Sequence, residues 1–378
     1  MTPTSMSNIG IITFHRSYNY GSVLQAYALQ TQVQELGYNA QVIDFTMEKD
    51  FEQYKLFRTH LYKKQPKSLG ADIAFFLPHL KRMRNFERFI AKRLNLTKHR
   101  YTKSEQMKEL NDSMDAFICG GDQIWNLDCT GGIEPAFFLD FATGDKRKIA
   151  YAPSMAHATF SLDNKTSSEL ISRIGRLDAV SIREETNLPY LQDLLPSRQV
   201  AAVLDPTLLL NRRYYDDLIP SNHSDEKSIF VYMLEWNQDL IRYAEDIQKK
   251  TGYKLYYISQ KVNCGFSTGT NCFGMAPEEF LGHINSAEYV ITNSFHATVF
   301  SILFHKQFCV FPTKKSSARM LDLLRKLGLQ NRIIWEGFDI AAPIDYRATE
   351  VFLGRLREDS LNYLRAALNG RDRNENSV

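Results

Sequence analysis

One histidine and two arginines stand out as side chains that could act on a small anionic molecule. His296 carries chemistry near neutral pH, and it lies in Tyr289–Pro312, where a β-rich run turns into an apolar helix. The start of such a helix favours an anion, because its N–H groups are free and its dipole is positive there. Arg183 follows a β-rich run, and Arg319 lies near a helix start. Guanidinium groups suit carboxylate or phosphate, so we predict a proton donor with anion clamps.

Two polar loops in the first half of the chain could line a sugar site. The loop HRSYNYG follows the first β-rich run, but its single glycine does not make a GxGxxG fingerprint, so we reject a nicotinamide cofactor. A packed polar turn is the alternative for this loop. The second loop, GGDQIWN, follows an apolar run at 116–119. The candidate sugar-binding residues in the two loops are His15, Tyr18, Asn19, Tyr20, Gly21, Asp122, Gln123 and Trp125.

The elements that must position these residues alternate between strand-like and helix-like runs, which is typical of a parallel α/β sheet. The chain opens β-α-β at 9–45, and a second α/β series begins near 229 and ends in a predicted strand at 332–335. We predict two Rossmann-like domains facing across a cleft, with strand ends lining it. The predicted bounds are 1–222 and 223–345, followed by a long helix at 346–370 that packs back over the junction and a tail at 371–378.

A basic segment interrupts the first domain at about 48–105, and its pattern predicts helices. Between Phe51 and Arg100 there are thirteen Lys and Arg but three Asp and Glu, so this segment carries +10 in a chain of net charge +3. Aromatic and cationic residues adjoin one another at 75–84. This mixture suits a helix in the headgroup layer of an anionic membrane. A solvated insertion is the alternative, and no nucleic-acid motif accompanies the charge.

The composition, with 44% hydrophobic and 24% charged residues, is that of a globular protein. We expect no membrane span and no signal peptide. The five cysteines form no CxxC pair, so we expect reduced thiols in a cytoplasmic protein that can work at the inner face of the membrane. No spacing typical of metal ligands occurs, and we expect neither a metal nor a cofactor.

Five motifs together resemble the polysaccharide pyruvyl transferase family. In chain order they are FHRSYNYGSVLQAYALQ, GGDQIWN, SIREE, DPTLLL and SFHATVFSILFHKQF. The resemblance extends from Phe14 to Phe308 and implies a GT-B-like arrangement of two Rossmann-type domains. Two loops depart from the family pattern. Gly120-Gly121-Asp122 stands where Gly-Ser-Asp is more usual, and Ser154-Met155-Ala156 stands where Ser-Phe-Gly is common.

The resemblance implies transfer of the enolpyruvyl group of phosphoenolpyruvate to a hexose of a lipid-linked or polymeric glycan, as a cyclic ketal that usually bridges O4 and O6. It assigns catalysis and donor binding to His296 in the SFH motif and to Arg183 in the SIREE motif. Ser294 adjoins His296 in the same motif and is a further donor-binding candidate. Ser317 and Arg319, at a helix start, are candidate phosphate contacts on physical grounds.

Two other functions remain open for this fold. A GT-B nucleotide-sugar glycosyltransferase would need base and ribose contacts in the second domain, where the helix at Ser317-Ala318-Arg319 offers a hydroxyl and a cation instead. A non-catalytic glycan-binding protein would use the same frame without a donor. The response to phosphoenolpyruvate, to nucleotide sugars and to glycans distinguishes the three.

Overall fold

The computed structural model describes residues 7–48, 70, 73, 76–156, 164–221, 226–259, 264–313 and 317–370. The chain forms two compact units. The first comprises Met1–Lys55, Ile90–Leu210 and Gly354–Val378, and the second comprises Leu56–Phe89 and Asn211–Leu353. The predicted boundary at residue 222, much of the first half of the predicted insertion and the tail at 371–378 lie outside the described residues.

The first unit is built on a seven-stranded parallel sheet. Its strands are β1 Asn8–Ile12, β2 Asn39–Phe45, β3 Leu96–Tyr101, β4 Ala116–Gly120, β5 Arg147–Tyr151, β6 Ala179–Ile182 and β7 Val200–Ala202. They lie in the order β3-β2-β1-β4-β5-β6-β7, which is the Rossmann order with one strand added. Apolar runs form β1 and β4 because both faces of a parallel sheet are covered. The order reverses between β1 and β4, where such sheets bind ligands.

The second unit repeats this plan with five parallel strands. They are β8 Ser228–Tyr232, β9 Lys254–Ile258, β10 Thr270–Asn271, β11 Tyr289–Thr292 and β12 Gln307–Val310, in the order β10-β9-β8-β11-β12. Here the order reverses between β8 and β11, so a second ligand crevice is expected at the carboxyl ends of these two strands. The prediction of two Rossmann-like domains is confirmed.

Eleven α-helices are formed by the described residues. They are α1 Tyr20–Glu35, α2 Phe76–Arg93, α3 Leu127–Thr130, α4 Asn164–Ile174, α5 Leu188–Leu194, α6 Arg213–Asp216, α7 Gln238–Thr251, α8 Pro277–Ser286, α9 Phe295–Leu303, α10 Ser317–Lys326 and α11 Tyr346–Asn369. Short 3-10 turns lie at Ser104–Asp112, Pro135–Phe138, Glu185–Asn187, Pro206–Leu208 and Gln330–Arg332. Not one of the helices in the described part of the chain combines the length and hydrophobicity of a membrane span.

Two predicted elements are corrected by the structure. The basic segment is not helical throughout, because Leu96–Tyr101 forms edge strand β3 beside β2. The strand predicted at 332–335 is also wrong, since Ile333 makes only an isolated bridge to Val310. Arg332 explains this conformation: it is 1% exposed, and its guanidinium donates to the Ala342 carbonyl oxygen at 2.9 Å.

The last helix, α11, contributes to both units. In the second unit the Tyr346 hydroxyl donates to the Lys306 carbonyl oxygen at 2.5 Å. In the first unit the Ser360 hydroxyl accepts from the Leu204 N–H at 2.9 Å, and Leu364 is fully buried. Val351, in the N-terminal part of this helix, is 55% exposed.

Candidate functional site

In the second unit, the side chain of Asn293 connects the loops that follow β8 and β11, where the strand order reverses. This residue follows β11, and its side-chain oxygen accepts from the Leu234 N–H at 2.7 Å, while its amide donates to the Glu235 carbonyl oxygen at 2.6 Å. Both partners lie in the loop after β8. Asn293 is 2% exposed, so a buried amide fixes the geometry of both loops where a ligand is expected.

Helix α9 begins at this point and carries His296 in its first turn. Ser294 is the N-cap, and its hydroxyl oxygen accepts from the Ala297 N–H at 3.4 Å. His296 is 7% exposed, and its ring meets the Phe295 ring edge-on with centroids 5.1 Å apart. The first turn of α9 has no acidic residue, so the helix does not neutralise its own positive end.

Arg319 lies in the first turn of the neighbouring helix α10. Its guanidinium carbon is 5.5 Å from the centre of the Phe295 ring. The Thr298 hydroxyl lies 3.3 Å from the Met320 sulfur, so the first turns of α9 and α10 pack together. One histidine and one arginine therefore share Phe295 as a neighbour where two helix N-termini meet. Such a place can bind a carboxylate or a phosphate. Ser317 begins α10, but its side chain lies outside the described residues.

In the first unit, a hydrogen bond joins the first turn of α1 to the loop after β4. The Ser22 hydroxyl, in the first turn of α1, donates to the Asp122 carboxylate at 2.5 Å. Asp122 is preceded by Gly120 at φ +152° and Gly121 at φ +93°. A Cβ on Gly121 would come within 1.9 Å of the Gln25 amide oxygen. The GGD sequence therefore fits a loop that passes very close to α1.

A cluster of charged groups surrounds Asp44 at the end of β2. His15 Nε2 lies 3.3 Å from Asp44 Oδ1, and Arg16 donates to both carboxylate oxygens at 2.5 and 2.8 Å. Arg100 Nε donates to Asp44 Oδ2 at 3.3 Å. Burial alone would raise the pKa of Asp44, but the hydrogen bonds and charges of His15 and Arg16 together hold it well below its usual range. Asp44 thus stays ionised and fixes the loop after β1.

A small pocket adjoins this cluster. Its lining is aromatic and hydroxylic, and consists of Phe14, His15, Arg16, Ser17, Phe45, Thr46, Met47 and Phe137. Thr46 is 8% exposed, and its hydroxyl oxygen has no hydrogen-bond partner within the described part of the chain; the same holds for the Ser17 hydroxyl. Buried hydroxyl groups normally have a partner, so a water or a ligand hydroxyl fits here.

Arg183 is buried in a network of carboxylates. Its guanidinium donates to Asp205, and to the Gly121 carbonyl oxygen at 3.2 Å, while its Nε lies 3.6 Å from Glu184. Burial would lower the pKa of Arg183, but Asp205, Glu184 and Asp122 together raise it. Glu184 also accepts from the Ser154 hydroxyl. Glu184 is the neighbour of Arg183 in the chain, and in this arrangement Arg183 holds the loop after β4.

Two predicted site residues are core residues instead. Trp125 is 1% exposed, and its indole N–H donates to the Phe137 carbonyl oxygen at 3.1 Å while its ring stacks on Phe138. Tyr20 is likewise 1% exposed. Both side chains pack in the core, because rings of this size gain most by full burial.

The other predicted loop residues have local partners or partial exposure. The Asn19 side chain caps α1 by accepting from the Gly21 and Ser22 N–H groups at 2.9 and 3.4 Å. Gln123 is partly buried and accepts from the Asn126 amide at 2.8 Å. Tyr18 is partly exposed at φ +44°, a strained backbone conformation for a tyrosine. Backbone strain of this kind is more frequent at functional sites. The conformation of Tyr18 is therefore consistent with a place in the site.

Asp44 and Asp205 organise the two networks of the first unit, and sequence reasoning did not single them out. Both follow apolar strand runs, and that position was the one available signal. Asp205 lies in the DPTLLL motif, where its carboxylate accepts from the Thr207 N–H at 2.9 Å. Among the described residues, no group of three or more His, Cys, Asp or Glu side chains could hold a metal ion.

A family model described as polysaccharide pyruvyl transferase matches residues 19–315. The match includes the GGD loop, Arg183 and His296, and it ends before Arg319. No curated protein sequence matches the chain.

Solved structures show the same fold at low sequence identity. UDP-N-acetylglucosamine 2-epimerase from Rickettsia bellii is similar over 96% of this chain and 96% of its own, at 9% identity and a TM-score of 0.53. The S. aureus MnaA-UDP co-structure is similar over 96% of this chain and 97% of its own, at 14% identity and a TM-score of 0.50. The predicted GT-B-like fold class is confirmed.

Proposed function

This chain belongs to the polysaccharide pyruvyl transferase family, and we propose that it moves the enolpyruvyl group of phosphoenolpyruvate onto a hexose. The product is a cyclic ketal bridging O4 and O6, and the acceptor is a lipid-linked or polymeric glycan at the cytoplasmic face of the membrane. The observation that carries the proposal is the meeting of two helix N-termini at His296 and Arg319 within a family member. That arrangement suits a donor with a carboxylate and a phosphate.

The reaction requires one acid and a site for anions. A proton adds to the methylene carbon of phosphoenolpyruvate and makes C2 an oxocarbenium-like centre. One sugar hydroxyl adds to C2, the C2–O bond to phosphate breaks, and the second hydroxyl closes the ketal. The two hydroxyls release two protons, of which one replaces the proton consumed at the methylene carbon and the other leaves with phosphate. No oxidant or reductant is needed.

In this proposal the second unit holds the donor. His296 is the general acid, because its ring lies in the first turn of α9, beside the helix N-terminus where an anion would bind. Arg319 binds the carboxylate or the phosphate, and Ser317 at the start of α10 is a further phosphate contact. The Ser294 side chain caps α9, so its part is to shape the anion site.

The first unit would supply the acceptor site and Arg183. The guanidinium of Arg183 is already bonded to Asp205 and to the Gly121 carbonyl oxygen. Its contacts favour a positioning role, in which it fixes the loop after β4 for substrate and is a donor contact only secondarily. His15, Tyr18, Gly21, Asp122 and Gln123 surround the first switch point and are the acceptor-side candidates that remain.

One rival activity has a specific observation in its favour. The S. aureus structure of similar fold is a UDP complex, so a nucleotide-sugar reaction is the alternative for this chain. A purely glycan-binding role is the non-enzymatic alternative. The three candidate functions differ in the ligand that should stabilise the folded protein.

Thermal unfolding with each ligand tests the proposal. Phosphoenolpyruvate should raise the melting temperature of the wild type, since a ligand that binds only the folded state stabilises it. Arg319→Gln should abolish this shift. Arg325→Gln is the matched control, because Arg325 lies on the same helix, is mostly exposed and pairs with Asp322; it should keep the shift. A shift with UDP-sugars and none with phosphoenolpyruvate would favour the rival enzyme, and a shift with glycans alone would favour the binding protein.

A further inference from the structure

Helix α2 presents one continuous exposed side that no neighbouring element covers in the described structure. Its residues recur every three or four positions, so they share one face. Leu77 is 71% exposed and Ile73, just before the helix, is 62% exposed. The exposed residues of this outer face are Ile73, Leu77, Lys81, Arg84, Arg88 and Lys92.

The opposite side of α2 is firmly docked within the second unit. The Asn85 amide donates to the Gly274 carbonyl oxygen at 2.8 Å, and Phe86 and Phe89 are fully buried. Arg82 lies over the Phe273 ring at 5.1 Å. The packing is close, since a Cβ on Gly274 would come within 2.9 Å of the Pro78 carbonyl oxygen. The inner face therefore fixes which side of the helix points outward.

The cations of the outer face have no acidic partner among the residues that the structure describes. Within the part of the chain that the structure describes, Lys81, Arg84, Arg88 and Lys92 have no carboxylate within 4.0 Å. Helix α7 differs, because its exposed Arg242 and Lys249 are 3.7 and 4.0 Å from Asp239 and Asp246. The outer face of α2 is thus a row of four positive charges that no described carboxylate pairs, with two large apolar side chains at its N-terminal end.

We propose that the outer face of α2 binds an anionic phospholipid surface. The four cations complement anionic headgroups, and Leu77 and Ile73 can insert at the boundary between headgroups and acyl chains. A dissolved polyanion would satisfy the cations but would gain nothing from exposed leucine and isoleucine. The inference rests on this helix and not on the reaction proposed above, although it would bring the enzyme to a membrane-bound acceptor.

The experiment is co-sedimentation of the full chain with vesicles. Binding to mixed phosphatidylglycerol and phosphatidylcholine vesicles should exceed binding to phosphatidylcholine alone, and should weaken as salt is added. The variant Lys81→Gln/Arg84→Gln/Arg88→Gln should bind anionic vesicles at least about tenfold more weakly, because each cation contributes. Leu77→Ser keeps the charge and should also bind more weakly. All substituted residues are exposed, so melting temperatures should not change.

The matched control removes the same charge from α7. Arg242→Gln/Lys249→Gln/Lys250→Gln should sediment with anionic vesicles as the wild type does. The proposal is overturned if the α2 variant still sediments fully, or if the α7 control loses binding equally. It is also overturned if Leu77→Ser binds normally while heparin competes fully for the α2 cations, because the face would then be a site for soluble polyanions.

Discussion

Asp44 is the residue whose ionisation should be visible in the stability of the whole fold. Its pKa is lower in the folded chain than the value of about 3.9 expected for an unfolded one. The carboxylate therefore stabilises the folded state above about pH 4, and this contribution is lost as the pH falls further. Asp44→Asn should lower the free energy of unfolding by about 2–4 kcal/mol at pH 7, since it leaves buried cations uncompensated.

Urea unfolding of the wild type and of Asp44→Asn, at neutral pH and at steps below pH 4, measures the contribution of Asp44 to the free energy of unfolding. The difference between the two proteins should shrink as the pH falls. A difference that stays constant through the acid range would mean that folding does not lower the pKa of Asp44. Asp216→Asn is a suitable control, because that carboxylate is partly exposed and forms a surface pair with Arg212, so its loss should cost little.

Gly121 explains the departure of the GGD loop from the Gly-Ser-Asp pattern of the family. Gly121→Ser should destabilise the protein by about 1–3 kcal/mol, because a side chain at φ +93° is strained and meets the Gln25 amide. If Gln25 is the obstacle, Gly121→Ser/Gln25→Ala should be less unstable than the sum of the single variants by at least about 0.5 kcal/mol. Strict additivity, measured by chemical unfolding, would show that the backbone conformation alone is responsible.

For single residues, the sequence predicted the place in a helix better than the contacts of the side chain. His296 and Arg319 were placed at helix starts, which the structure bears out, because strand-turn-helix patterns are local. The burial of Trp125 and Tyr20 could not be predicted, since an aromatic residue after a strand gives the same pattern whether it turns outward or into the core. Asp205, which pairs with Arg183, and the partners of Asp44 lie on or after other strands. Pairs so far apart in the chain leave no local pattern.

At the scale of the element, substitutions at Asn19 distinguish its capping of α1 from a contact with the substrate. Asn19→Ala should lower the free energy of unfolding by about 1 kcal/mol, because the N–H groups of Gly21 and Ser22 lose their acceptor. Asn19→Asp should keep the stability, since aspartate also caps and its charge suits the helix dipole. Unfolding measurements that find Asn19→Ala as stable as the wild type would contradict the capping role. A raised KM for the acceptor in a fully stable Asn19→Asp would indicate an added contact with substrate.

The elements that sequence reasoning missed are edge strands. Strand β3 pairs with β2 alone, and its burial does not alternate as a half-buried strand should. Three basic residues, Lys98, His99 and Arg100, occupy its exposed centre, which protects an edge from pairing with other chains but erases the strand signal. Strand β10, with two residues, is too short to leave a pattern.

At the scale of the molecule, the strand orders of the two sheets determine which loops lie next to one another. Both sheets reverse their order next to their first strand, between β1 and β4 and between β8 and β11. The motifs HRSYNYG, GGDQIWN and SFH follow β1, β4 and β11. The alternation of strands and helices predicted this architecture because parallel sheets leave a repeated pattern in the sequence. Facing of the two domains across a cleft remains a prediction, since it depends on contacts that periodicity does not encode.

The central claim is tested most directly by following both products of one turnover. Incubation with phosphoenolpyruvate and a panel of lipid-linked or nitrophenyl hexosides should release one phosphate for each pyruvyl group that mass spectrometry finds on the sugar. His296→Gln should slow both by about 10²- to 10⁴-fold, as expected for loss of a general acid, with an unchanged melting temperature. Phosphate release without a pyruvylated sugar, equal rates in His296→Gln, or glycosyl transfer from a UDP-sugar instead would contradict the account.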